Sequence, residues 1–322
     1  MNIHLTKEFK DAISAASDYL KIREAYIEKD YWVTYVLKNL SDSAFIDNVV
    51  FKGGTSLSKV HKCIERFSED IDLAIIGNEN LGDSRRKALM KSIELSVTIG
   101  LSPIKEHPLT EKKGRNRKTF FQYLNAFDKE NMGPVKDVIQ LDINTFTEPV
   151  PYRKASVDSY ISQYLRETSK NEMILQYGLS TFELNVLSME RTFFEKILSL
   201  IRLSFNGTDA LKSKLRHFYD IVRIYQKNGN ILYGENSIEI FLIALNDDRK
   251  NSTFAGEWLN KPLSESFLFS DFKNLWKSLE PAYKRELKQI TWVDSIPGSK
   301  DVEEIISKTA EFIKNIESGN HC

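Results

Sequence analysis

The chain is poor in cysteine, balanced in charge and free of long apolar runs, and each shortage removes a class of explanation. Cys63 and Cys322 are the two cysteines in 322 residues, too few for a disulfide framework or a zinc pattern, so a reducing cytosol is the expected setting. Lys and Arg number 45 and Asp and Glu number 45, so no average field announces a nucleic-acid binder, and such contact would need a local basic cluster. No stretch approaches the ~18–20 apolar residues that cross a bilayer. The N-terminal "MNIHLTKEFKDAISAASDYL" is amphipathic and has no apolar signal core. The expectation is a soluble, cytoplasmic protein without a membrane partner. Its length allows one large domain or two ordinary ones, and no repeat or low-complexity segment divides it.

The periodicities give an order of elements. "LKIREAYIEKDYWVTYVLKNL" reads as helix, with Tyr26, Val33, Leu37 and Leu40 at helical spacing and Arg23, Glu24 and Glu28 among them. "NVVFKGG" is a short strand stopped by glycine, and "DIDLAII" a second, buried strand. Between them a helix is expected, capped by Thr55 or Ser56 and carrying Leu57, Val60, Ile64 and Phe67 on one stripe. "SRRKALMKSIELSVTIG" reads as helix with Leu89, Ile93 and Val97 inward and Gly100 at its end. "TFFQYLNAF" and "DVIQLDINTF" make an antiparallel pair around the turn "DKENMGPVK". After Pro149 and Pro151 the pattern is helical apart from a strand near "TFELNVLS", and includes "MERTFFEKILSLIRLSF", "KLRHFYDIVRIYQKNG" and "SFLFSDFKNLWKSL".

The stretch "FKGGTSLSKVHKCIERFSEDIDL" brings a glycine pair and a D-x-D close together. Strand side chains alternate with period two, so Asp70 and Asp72 share a face while Ile71 and Leu73 take the other. Two carboxylates aimed at one spot call for a cation, and Mg²⁺ takes one or two carboxylates together with phosphate oxygens. Gly53 and Gly54 allow backbone to approach a bulky anion, and a helix start near Thr55 or Ser56 offers N–H groups to phosphate. Either feature alone is more ordinary as a tight turn or an exposed pair of acids; together they favour a triphosphate held between backbone donors and metal.

"GGTSLSK" followed by "RFSEDIDL" resembles the opening motif of the nucleotidyltransferase superfamily, in the version of the AbiEii/AbiGii-type toxins of type IV toxin–antitoxin systems. "IEKDYWVTYVL" resembles that family's N-terminal helix, and "ERTFFEKI" and "RHFYDIV" its later lysine and aspartate motifs, so matches run from about residue 27 to 223. The resemblance implies an α+β protein. Residues 1–187 would form a nucleotidyltransferase core with a mixed β-sheet behind N-terminal helices, and 188–322 a mainly helical region completing the active-site cleft. It also implies transfer of a nucleotide from an NTP to an acceptor, with Mg²⁺ or Mn²⁺, by a growth-inhibiting toxin whose antitoxin is encoded nearby. tRNA is the expected acceptor. A protein or small-molecule acceptor, or a regulatory module that binds nucleotide without turnover, are the alternatives.

The resemblance distributes the roles. Asp70 and Asp72 would hold metal; Gly53, Gly54, Thr55, Ser56 and Lys59 would bind nucleotide; Lys196 would reach the phosphates, with Asp220 orienting it or the nucleotide. Spacing alone makes Lys196 a surface lysine, and Asp220 the partner of Arg216 in an i, i+4 pair. His217 is expected to pack or face solvent. Asp142 lies on the polar face of "VIQLDINTF", where it is a third metal ligand, a base, or a solvated strand residue. "KKGRNRK" places five cations, Lys112, Lys113, Arg115, Arg117 and Lys118, before a strand of the sheet. Such a run is either a solvated loop or a track for an RNA backbone.

Overall fold

The computed structural model of the chain describes residues 2–78, 80–127, 135, 137–229, 231–293 and 295–319. Cys322 and, apart from Val135, the expected turn at 128–136 lie outside them. By internal contacts the chain divides into two units, one of Met1–Lys62, Phe67–Thr145 and Tyr152–Leu187, the other of Cys63–Arg66, Phe146–Pro151 and Ser188–Cys322.

The first unit opens with α1 (Glu8–Leu20) and α2 (Glu24–Ser41). α2 is buried nearly all round, which its run of Tyr26, Ile27, Tyr31, Trp32, Val33, Val36 and Leu37 requires. Its three consecutive charged residues, Glu28, Lys29 and Asp30, are buried as well. Buried charges must be paired, and these are. Glu28 accepts the Ala126 N–H, Lys29 pairs with Glu69 at 3.2 Å and donates to the Val138 carbonyl, and Asp30 binds Lys59 and the Tyr160 N–H. Burial pushes the Glu28 carboxyl up to about 7.

The strands are β1 (Val49–Lys52), β2 (Ile71–Ile75), β3 (Ser102–Pro103), β4 (Glu111–Lys112), β5 (Asn116–Gln122), β6 (Val138–Asn144), β7 (Tyr152–Val157) and β8 (Phe182–Leu187). Between them lie α3 (Gly53–Lys59), α4 (Asp83–Val97), α5 (Tyr160–Glu167) and α6 (Asn171–Gln176). The strands form one mixed sheet in the order β3-β5-β6-β2-β1-β8-β7, with β4 on β5. β2 runs parallel to β6 and β1 to β8, and the remaining pairs are antiparallel.

Register carries one apolar row across the sheet: Ile143, Leu73, Phe51 and Val186 lie opposite one another on adjacent strands, and all four are fully buried. Arg117 continues that row on β5, opposite Ile143. Its guanidinium is bidentate on Glu94 of α4, at 2.7 and 2.6 Å, and Thr119 donates to the same carboxylate at 2.6 Å. α4 presents Arg86, Met90, Ile93, Glu94 and Val97 as its buried residues, while Leu89 is half-buried.

Two expectations from the sequence change. The helix after the glycines ends at Lys59, so Ile64 and Phe67 are buried from loop positions and do not extend its stripe. β7, "YRKASV", appears where helix was expected. It is an edge strand exposed along most of its length, and the polar, cationic sequence that hides it from pattern reading is how sheets protect such edges.

The second unit consists of α7 (Met189–Ser204), α8 (Thr208–Leu211), α9 (Leu215–Asn228), α10 (Glu235–Lys250), α11 (Phe267–Ser270), α12 (Phe272–Ile290) and α13 (Ser299–Glu317). Its core is aromatic: Phe194 stacks on Phe312 at 5.7 Å and meets Phe241 edge-on at 5.5 Å. Fully buried Arg191 binds Asp247 and the Val150 carbonyl, and Asp247 accepts the Glu148 N–H at 2.9 Å. These bonds fix the segment 146–151 to α7 and α10. Among the described residues no helix is long and apolar enough to cross a membrane.

The two faces of β2 differ in consequence. Leu73→Ala is expected to cost about 2–5 kcal/mol, the range for truncating a buried leucine. Asp72→Asn leaves stability level or raises it, because it removes one of several neighbouring like charges. Urea unfolding of the two variants checks both.

Candidate active site

The glycine turn and the D-x-D are adjacent because one accommodates the other. Gly53 has a φ of +79°, and a Cβ there would lie 2.1 Å from the Asp72 Oδ2. A residue with a side chain would therefore be strained in its backbone and would displace the carboxylate. Lys52, the last residue of β1, stands in register with Asp72.

The helix begins at Gly53 itself, so neither Thr55 nor Ser56 is its cap. Ser56 Oγ donates to the Gly53 carbonyl at 2.8 Å. Thr55 Oγ1 donates to the Asp70 carbonyl at 2.5 Å and lies 3.0 Å from Ser68 Oγ. Thr55 thus ties α3 to the residue that opens the D-x-D. Both hydroxyl side chains are buried, and what Gly53 and Gly54 leave toward a ligand is backbone. Lys59 is buried and committed to Asp30 of α2.

Asp142 belongs to the same row as Asp72. The parallel pairing of β2 and β6 sets Asp72 opposite Asp142, and the antiparallel pairing of β5 and β6 sets Lys118 opposite Asp142. Directly opposite residues on neighbouring strands project from the same face. The sheet therefore carries a transverse row, Lys52, Asp72, Asp142, Lys118, and Asp70 lies two residues before Asp72, just ahead of β2. Lys118 Nζ lies 3.6 Å from Asp142 Oδ2. Burial raises the Asp142 carboxyl; Lys118 and Lys52 oppose the rise and Asp70 adds to it.

Among the described residues no group of three or more His, Cys, Asp and Glu side chains could hold a metal ion. Asp70, Asp72 and Asp142 accordingly make no ready three-ligand cage, and Asp142 is engaged by Lys118. The donor set still fits a divalent metal that completes its shell with phosphate oxygens and water, which is how Mg²⁺ is held when proteins supply one or two carboxylates.

The basic run divides. Lys112, Lys113 and Arg115 are exposed, whereas Arg117 and Lys118 are strand residues of opposite faces, Arg117 bound to Glu94 and Lys118 to Asp142. Of the five cations expected to form a solvated loop or an RNA track, Arg117 and Lys118 thus have acidic partners within the sheet unit. Pattern reading passed over Lys52 and placed Lys118 with the basic run; the signal for its position beside Asp142 was its alternation with Arg117 in a strand that starts at Asn116, three residues before the expected "TFFQYLNAF".

Within the second unit, Lys196 of α7 and Asp220 of α9 are joined, Nζ to Oδ2, at 2.7 Å. Asp220 is fully buried and also receives a bidentate pair from Arg66, both bonds at 2.7 Å. Burial alone would raise the Asp220 carboxyl, but the Arg66 guanidinium and the Lys196 ammonium outweigh it and hold it well below the usual carboxylate range. The expected Arg216–Asp220 pair does not form: Arg216 binds Glu286 at 2.7 Å, because the partner brought by folding satisfies Asp220 inside the unit. His217 stays neutral, since burial and the nearby Lys196 lower it. Cys63 is also buried, and burial together with Asp220 pushes its thiol up to about 12.

Two outcomes follow for variants. Gly53→Ala is expected to fold but to lose metal and nucleotide binding together, as calorimetry would report, because the methyl group takes the place of Asp72 Oδ2. Asp220→Ala strands two buried cations and is expected to cost about 3–5 kcal/mol. The sign with pH follows from the lowered carboxyl. The stability Asp220 contributes is complete above the unfolded value near ~4 and is lost as pH falls toward the folded value beneath it. Urea midpoints from pH 6 down to pH 2 should therefore fall more steeply for the wild type than for Asp220→Asn.

Comparison with known proteins identifies the family and the fold. The family model described as "Nucleotidyl transferase AbiEii toxin, Type IV TA system" matches residues 35–295, most of the chain and all of the carboxylate row. Among solved structures, the nucleotidyltransferase toxin MenT4 of Mycobacterium tuberculosis H37Rv superposes with a TM-score of 0.56 at 14% identity, over 94% of this chain and 89% of that one. At that identity the likeness is one of fold. No curated protein sequence matches the chain significantly. The chain belongs to the AbiEii family of nucleotidyltransferase toxins of type IV toxin–antitoxin systems.

Proposed function

We propose that the chain transfers a nucleotide from an NTP to an acceptor hydroxyl, with a divalent metal held by Asp70 and Asp72 and with tRNA as the acceptor. The observation that carries this reading is the row of carboxylates beside Gly53, where backbone and acids approach one another so closely that no side chain fits between them. A metal bound there would neutralise phosphate charge and polarise the reacting phosphoryl group. Asp70 and Asp72 would hold it, and Gly53 and Gly54 would present backbone to the phosphates. Asp142 would accept the acceptor's proton once Lys118 releases it, a role supported by its register with Asp72.

Lys196 enters through the family resemblance, which assigns it to the phosphates. Its ion pair with Asp220 supports a fixed ammonium in place of a flexible surface lysine. Family membership also supports a cognate antitoxin as partner.

RNA as the acceptor is supported by the exposed cations Lys112, Lys113 and Arg115 at the β4–β5 hairpin, since phosphate contacts need no sequence reading. Neutralising these three should weaken RNA binding and lower its salt slope by roughly one unit per lost contact, while NTP binding is unchanged. RNA affinity measured across a salt series, beside NTP affinity for the same variant, checks this.

The function itself is tested by supplying each labelled NTP with Mg²⁺ or Mn²⁺ to the protein in total RNA or in protein extract. Label is expected in RNA of tRNA size, and its loss is expected in a folded Asp72→Asn variant. Label in protein would select the protein-acceptor alternative, and the absence of any transfer would select a module that binds without turnover.

A further inference from the structure

The carboxylate row is flanked at both ends by lysine, and the two lysines differ in freedom. Lys52 is buried, with 9% of its surface exposed, and its position is fixed at the end of β1 directly before the glycine turn. The Lys118 side chain is 30% exposed and reaches Asp142 from a partly solvated position. Lys52 stands opposite Asp72, and Lys118 opposite Asp142. The row as folded therefore holds two carboxylates between two lysines, with Asp70 just ahead of it in the chain.

That arrangement is poorly suited to a bare metal ion. A divalent cation approaching Asp70 and Asp72 meets the charges of Lys52 and Lys118, which discount the attraction of the acids. A polyphosphate arriving with the metal changes this balance, because its oxygens give the two ammonium groups partners, Lys118 releases Asp142, and Asp70 and Asp72 take the metal. Binding of the two is then mutually reinforcing, as linkage requires when each relieves a cost the other would bear.

We propose that Lys52 and Lys118 make this site selective for a metal–polyphosphate complex over the free metal, with Lys118 passing from Asp142 to a phosphate oxygen as the complex binds. The inference rests on the metal and NTP reading above and gives a part in it to two residues outside "GGTSLSK" and "RFSEDIDL". Lys118 is a specificity residue in this account, and Lys52 holds the fixed charge at the other end of the row.

The test uses the full chain with Mn²⁺ and inorganic tripolyphosphate, which carries the phosphate chemistry without a base. Protein-bound Mn²⁺ is measured by equilibrium dialysis with and without tripolyphosphate, corrected for the complex the two form in solution. In the wild type, tripolyphosphate should raise Mn²⁺ affinity about tenfold, the scale on which a close charge shifts an equilibrium. Lys118→Met should bind Mn²⁺ alone about tenfold more tightly and lose most of the enhancement. Lys118→Arg, which keeps the charge, should retain it. Wild-type behaviour of Lys118→Met in both conditions, with Mn²⁺ uptake abolished by Asp72→Asn, would overturn the inference and leave the metal site standing. Normal Mn²⁺ uptake by Asp72→Asn would overturn the metal site and the inference with it.

Discussion

Asp72 and Asp142 stand directly opposite each other on adjacent parallel strands, and like charges in that position repel. Much of the first unit answers that constraint. Lys52 and Lys118 occupy the next positions of the row on either side. Gly53 gives Asp72 space that no other residue would leave, and Thr55 anchors the chain just before the D-x-D through the Asp70 carbonyl. Behind these, Lys29 of α2 joins Glu69, the residue before Asp70, to the first residue of β6. The residue before Asp70 and the start of β6 are thus tied to one buried lysine of α2.

The second unit solves a similar problem with the signs reversed. There a single buried carboxylate, Asp220, serves two cations, Arg66 and Lys196. A bidentate guanidinium suits this because its planar fork fills both carboxylate oxygens in a fixed geometry. The ammonium, a compact charge on a flexible stem, adds to one of them. Arg66 comes from the short segment Cys63–Arg66, which belongs with this unit although its chain neighbours belong with the other. Its guanidinium, the Glu65 bonds to Tyr219 and Arg223, and the Arg66–Thr291 bridge tie that segment to the unit.

Local periodicity made a large part of this legible. The strand carrying Asp72, the strand pair around Asp142, and the α7 and α9 helices all follow from spacing, because each depends on near neighbours. What was hidden depends on partners far along the chain. Glu28 read as one of the charges along its helix, yet it and its neighbours Lys29 and Asp30 are buried, bonded to residues at 126, 138 and 160. Asp220 had a local partner in Arg216 and took Arg66 instead, 154 residues away. Arg117 and Lys118 read as one basic cluster, and a strand beginning three residues early sent them to opposite faces. Lys52 gave no local signal, since only the register of β1 on β2 reveals what it faces.

The central claim is that the acids of this row take a metal together with the phosphates of an NTP. The direct measurement is a crystal structure with Mn²⁺ and a non-hydrolysable NTP, using manganese anomalous scattering to locate the metal. The account predicts an anomalous peak at coordinating distance from the carboxylates of Asp70 and Asp72, with the triphosphate against Gly53 and Gly54. A well-ordered nucleotide bound elsewhere, with no anomalous signal at Asp70 and Asp72, would contradict it.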